Sequence, residues 1–166
     1  GSSAMCGTFK REILAGIHFL TAHTRTGSSA ISADTLKVAM FTNSSSIDAD
    51  TTGYTTGNEV SGTNYSAGGA ALSSVTIGLA DNSSSVPTAF VDFADTTFSS
   101  STISSARGAL IYNSTLSSAG TGSTTNHAAD PAIAVINFGG DKSSSAGDFT
   151  IQYPANDANN AVIRIA

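Results

Sequence analysis

The sequence predicts an all-β fold, mainly an antiparallel β-sandwich of jelly-roll-like form with one short N-terminal helix. Three observations carry that expectation. Two runs, Ala106–Asn113 and Ala132–Gly139, are apolar, rich in branched or aromatic residues and closed by turn formers, which is the composition of buried strands. Shorter segments of alternating polarity recur from Asp34 to the end of the chain, with Ser, Asp and Gly turn signals between them. Strands do not alternate with helical segments, which disfavours a parallel α/β sheet.

Taken in order, Gly1 to Ala4 carry no fold signal, and the helix comes first. Phe9, Ile13, Ile17 and Leu20 fall at spacings of four, four and three, so they share one helical face within Thr8–Leu20. Thr8 is the candidate N-cap, and Gly16 costs such a helix about 1 kcal/mol relative to Ala. That helix either closes one end of the β core or serves as an arm on a neighbouring subunit. Thr21 to Ala33 is polar and contains Gly27-Ser28-Ser29, a linker. Residues 1–33 therefore read as a helix-and-linker arm and residues 34–166 as the β-sandwich domain.

Leu36, Val38 and Met40 alternate up to Phe41 and predict a strand with one face inward. Asn43 to Gly57 reads as a loop. Glycines in Gly62–Gly69 lack the Lys and the strand-to-helix context of a phosphate cradle, so turns or bulges at positive φ account for them. Leu72, Val75, Ile77 and Leu79 form the next strand, irregular at Ser73-Ser74, and Ala89–Phe93 follows Pro87. Phe98 and Ile103 bracket a polar turn before the Arg107 strand. Ser114 to Pro131 has nothing to bury and reads as a long exposed loop. Gly139 to Asp148 reads as a turn, Phe149, Ile151 and Tyr153 as a strand, and Val162–Ile165 as the last one.

Composition bounds the function. A chain of 166 residues removes roughly 70% of its unfolded surface from water, so no metal or disulfide is needed to fold it. Cys6 is the only cysteine, which excludes an intrachain disulfide and disfavours a structural metal site. Charged residues are 11% of the chain, against an average of about 25%, so small hydroxyls must cover the surface. With a net charge of −5 and seven scattered basic residues there is no phosphate-tracking stripe, and nucleic acid is not an expected partner. No apolar run approaches the roughly 20 residues of a spanning helix, so no membrane is expected either.

Catalytic patterns are weak. His18, His23 and His127 lack zinc-motif spacing and read as solvated or capping residues, and no G-x-S-x-G elbow occurs. Asp48 and Asp50, or Asp141 and Asp148, lack the spacing and closing Glu of a calcium loop, so turn formation explains them as well. The sequence thus predicts no enzyme, no cofactor and no metal site. Its candidate partner contacts are Phe9, Ile13, Ile17 and Leu20 of the helix with Asn126 and His127 of the long loop, because both segments are candidates for contacts outside the domain.

Gly7–His18, Asp34–Thr42, Asn58–Gly69, Ala106–Asn113 and Asn137–Lys142 together resemble a group of small proteins encoded by tailed bacteriophages. The similarity covers most of the chain and keeps the order of segments, although the His18–Asp34 linker and the Thr115–Asp130 loop are long for the group. The resemblance implies a virion component, a cement or decoration protein on the capsid surface, with the major capsid protein as partner. Copies of the chain itself are the other expected partner, a trimer at a three-fold position being the symmetric arrangement. The alternatives are a tail or receptor-contact protein, or a carbohydrate-binding β-sandwich module with aromatic rings gathered on one face.

Overall fold

The computed structural model describes residues 2–122 and 126–166; Ser123–Thr125 of the long loop lie outside them. The chain forms antiparallel β structure with one short helix. In order the elements are β1 (Ala4–Met5), α1 (Gly7–Leu14), β2 (Leu36–Phe41), β3 (Gly62–Thr63), β4 (Ala70–Ala71), β5 (Thr76–Asp81), β6 (Pro87–Asp92), β7 (Thr96–Asn113), β8 (Ala132–Ile151) and β9 (Ile163–Ile165). One sheet has the order β1-β8-β7-β2-β4 with β3 added to β7, and the second has the order β5-β6-β9. Val91, Phe93 and Ile163 from the smaller sheet's side share one apolar cluster with β2, β7 and β8, so the two sheets enclose a common core. A jelly roll would place two interlocked four-stranded sheets face to face, and this strand order does not reproduce it.

The β7–β8 ribbon dominates the architecture. The segments expected to be turns, Ser99–Thr102 and Gly139–Asp148, lie inside these strands, which pair from Thr96↔Ile151 to Tyr112↔Ala132. Small hydroxyl residues hold the pairing where apolar side chains are missing. Ser101, fully buried, is within 2.8 Å of the Ser144 hydroxyl and donates to the Gly147 carbonyl at 3.0 Å, while Ser143 Oγ accepts from the Ser105 amide at 2.9 Å.

A straight strand of 20 residues would run about 66 Å, while a compact chain of this length has a radius of gyration of only about 15 Å. The ribbon therefore has to bend. Phe138 and Phe149, eleven positions apart on β8, have ring centroids only 6.2 Å apart. The register shifts four times between Phe98 and Gly108, and Ser100, Ser105, Gly139 and Ala146 adopt positive φ there, as bulges that sharpen a bend do.

At the helix, Gly16 marks an end and not a cost. It has φ +72°, its amide donates to the Ile13 carbonyl, and the Ile17 amide donates to the Glu12 carbonyl at 3.0 Å. These are the two bonds of a Schellman cap, so the helix stops at Leu14 instead of running to Leu20. The N-cap is Cys6 and not Thr8, and it makes no side-chain capping bond. Ala4 and Met5 pair with Val135 and Ala134, and Cys6 and Phe9 join the main core, so the first residues are packed into the same body as the sheet.

Candidate interaction surface

The helix and the long loop, singled out separately in the sequence, meet in space. Arg11 Nη2 donates to the Asn126 carbonyl at 3.0 Å, and the loop is braced within itself by Gly120 N–H to the His127 carbonyl and Asp130 N–H to the Leu116 carbonyl. Asn126 is exposed and His127 half-buried. Phe9 is 0% exposed and has no surface left for a partner: it fills the domain's own core, edge-on to the His18 ring. Ile13, Ile17 and Leu20 are half-buried, with Ile13 and Leu20 packed on that core, so the helix closes the β structure of its own chain.

Beneath this surface runs a buried polar chain that the sequence did not announce. Glu12 Oε1 lies 2.8 Å from His18 Nε2, His18 Nδ1 lies 3.0 Å from Asn113 Nδ2, and Asn113 Nδ2 also donates to Asp34 Oδ2 at 2.7 Å. Asp34 Oδ2 in turn accepts the Phe19 amide, and Asn113 Oδ1 accepts that of Thr115. His18 is thus buried, not solvated. An Asn amide nitrogen can only donate, so Nδ1 is the acceptor and Nε2 carries the proton toward Glu12. Burial lowers the His18 pKa against the opposing pull of Glu12 and Asp34, and nearby His127 lowers it further. With both ring nitrogens engaged inside the protein, His18 has none free to serve an outside substrate. Glu12 is six residues away, but Asn113 lies 95 residues along the sequence, and no spacing rule could have found it.

A second network fixes the 53–72 segment on the sheet. Glu59 accepts the Tyr54 hydroxyl at 2.5 Å, the Tyr65 hydroxyl at 2.7 Å and the Gly68 amide at 2.9 Å. Tyr112 donates to the Gly68 carbonyl and stacks on Tyr54 with centroids 4.6 Å apart. Burial pushes the Tyr112 phenol up to about 12 and raises Tyr54 and Tyr65 as well, so none of them ionises near neutrality. The glycines here serve backbone geometry: Gly69 has φ +76°, and a Cβ on it would lie 1.8 Å from the Val38 carbonyl oxygen.

The aspartates have local duties. Asp48 Oδ1 accepts the Asp50 amide, a turn contact, while Asp141 pairs with Arg107 at 2.8 Å and Asp148 accepts the Ser100 amide. Among the described residues no three His, Cys, Asp or Glu side chains gather as metal ligands would. Cys6 is buried, and burial pushes its thiol up to about 12, with Asp48 and Glu12 adding to the effect.

Two outward surfaces among the described residues bear on partner contact. The bent ribbon presents a face of Thr97, Thr102, Ser104, Ser143, Ser145 and Thr150, all exposed. Several of these hydroxyls bond across the ribbon, as Thr97 does to Thr150 at 2.9 Å and Thr102 to the Ala146 amide at 3.0 Å. The second is an apolar groove of about 270 Å³ between the Phe19–His23 stretch and the β5-β6-β9 sheet, edged by Ile77 and Ile165. Comparison with known protein families, with curated proteins and with solved structures found no match.

Proposed function

We propose that this chain is a non-enzymatic structural protein of a tailed-phage virion that binds the outer capsid surface as a cement or decoration protein. The supporting observation is the face of the β7–β8 ribbon. It is rich in exposed hydroxyls, several already tied to the ribbon by hydrogen bonds, and its Arg107 and Asp141 charges are paired with each other, so laying it on another protein surface costs little ordering entropy. The buried thiol, imidazole and phenols support the same reading. Cys6, His18 and the tyrosines are held in uncharged forms inside structural networks. The carbohydrate-binding alternative has less to draw on, because every Phe and Tyr ring is buried or half-buried. The test is cosedimentation with undecorated, expanded shells of a tailed phage, followed by localisation on the intact particle. Saturable binding at lattice positions and a higher disruption temperature of the shell are expected. Density on the tail, or no binding to shells, would overturn the proposal.

A further inference from the structure

The two sheets end in edges of very different character. β1 and β4 are two residues long and β9 three, while the outer part of β8 is blunted by the Asp141–Lys142 charges, by bulges and by the left-handed Ala146. β5 has none of these devices. It is six residues long, pairs with β6 in unbroken register from Thr76↔Asp92 to Asp81↔Pro87, and contains no Pro, Lys or Arg. Ile77 is 53% and Leu79 75% exposed beside that open edge. An edge of this length is normally protected, because its free N–H and C=O groups template another strand.

We propose that β5 is a self-association edge: two copies of this chain pair their β5 strands antiparallel about a two-fold axis at Gly78, joining two three-stranded sheets into one of six strands. The inference does not rest on the virion reading.

A second copy is the occupant because the strand is its own complement. A two-fold axis normal to the sheet keeps every side chain on its face and sets Ile77 opposite Leu79 of the second copy, Leu79 opposite Ile77, and Thr76 opposite Ala80. Asp81 is the one charged residue of the strand and falls opposite Val75. The two Asp81 carboxylates then lie roughly 20 Å apart, beyond the Debye length of about 8 Å, so two chains of net charge −5 meet without like charges facing each other. Ile77, Val91 and Ile163 form one row across the sheet, and Leu79, Ala89 and Ile165 the next, so pairing extends both apolar rows into the second copy. At the axis a Gly78 Cβ would lie 2.4 Å from the Phe90 ring, which takes its place over the backbone. Six paired residues bury well under the usual ~800 Å² per partner, so the pairing is weak in dilute solution and fills as copies are crowded together.

The experiment is sedimentation of the full chain from about 1 μM to about 1 mM, with Leu79→Lys as the edge-blocking variant. The expected result is a mass rising from 16.6 kDa toward twice that value. Leu79→Lys should need at least about ten-fold higher concentration for the same rise, with an unchanged melting midpoint because the side chain is exposed. Register is read by mild oxidation. Ile77→Cys/Leu79→Cys should give a disulfide-linked dimer, whereas Leu79→Cys alone sets its two sulfurs on a diagonal too long to bridge; Cys6 is buried and does not compete. Three results would overturn the proposal: a monomer at every concentration, which would leave the edge to another protein's strand or to none; a Leu79→Lys variant that associates like the parent; or equal cross-linking of the single and double cysteine variants.

Discussion

The inner and outer halves of the β7–β8 ribbon share two strands and differ in what holds them. From Gly108 to Asn113 and from Ala132 to Val135 every residue is buried, so both faces of the ribbon are covered. From Thr96 to Ala106 the buried residues are spaced two or three apart, and only one face, with Phe98, Ser101 and Ile103, turns inward. Dispersion and apolar burial hold the inner half. The outer half depends on cross-strand hydroxyl bonds and on the bulges that bend it. The same backbone pairing is thus stabilised by burial at one end and by polar satisfaction at the other, and the sensitivity to substitution should differ accordingly.

The largest effect should come from the inner half. Leu110→Ala or Ile111→Ala removes a fully buried side chain covered on both sides and should cost about 3–4 kcal/mol in urea unfolding; a loss below about 1 kcal/mol would erase the contrast. In the outer half, Ser101→Ala leaves the Ser144 hydroxyl and the Gly147 carbonyl short of a partner and should cost about 1–2 kcal/mol in the same assay.

The pH dependence belongs to the inner end, where Asn113 closes β7 against His18. Because burial lowers the His18 pKa, the unfolded chain binds the proton more tightly. The associated stability is therefore complete above the ordinary value of 6.5 and is lost as pH falls from there through the lower folded value. Urea midpoints measured across that window should fall on acidification, and His18→Gln, which keeps a donor and an acceptor but does not titrate, should flatten the slope. An identical slope in the variant would remove His18 from this role. Thr97→Ala and Arg107→Ala, both on the exposed face of the outer half, should change stability by less than about 0.5 kcal/mol.

The inner half was legible in the sequence because apolar runs carry their own strand signal. The outer half was not, since Ser and Gly clusters are statistically turn formers, and only the partner strand reveals that their hydroxyls and amides are satisfied across a ladder. The helix was legible in its presence and its apolar face, but its N-cap fell at Cys6 instead of Thr8 and it ends at Leu14 instead of Leu20. Four-residue spacing continues through Ile17 although Gly16 has already turned the chain into the left-handed region. Of the candidate contacts, Phe9 failed because an amphipathic face does not say whose core it fills. The meeting of Arg11 with Asn126, and of His18 with Asn113, depends on long-range placement that local pattern does not encode.

The pairing of Ala4 with Val135, and of the Cys6 amide with the Ile133 carbonyl, also sets a schedule for biosynthesis. A ribosome adds about 5–20 residues per second, so the N-terminal segment emerges on the order of ten seconds before its docking strand exists. During that interval Phe9 is bare to chaperones, and the Cys6 thiol titrates as an ordinary one. Once β8 is in place the thiol is buried and pushed up to about 12. With hydrogen peroxide added as the two-electron oxidant, which is reduced to water as the thiol becomes a sulfenic acid, a sulfenic-acid probe should label Cys6 on ribosome-bound chains and not after release.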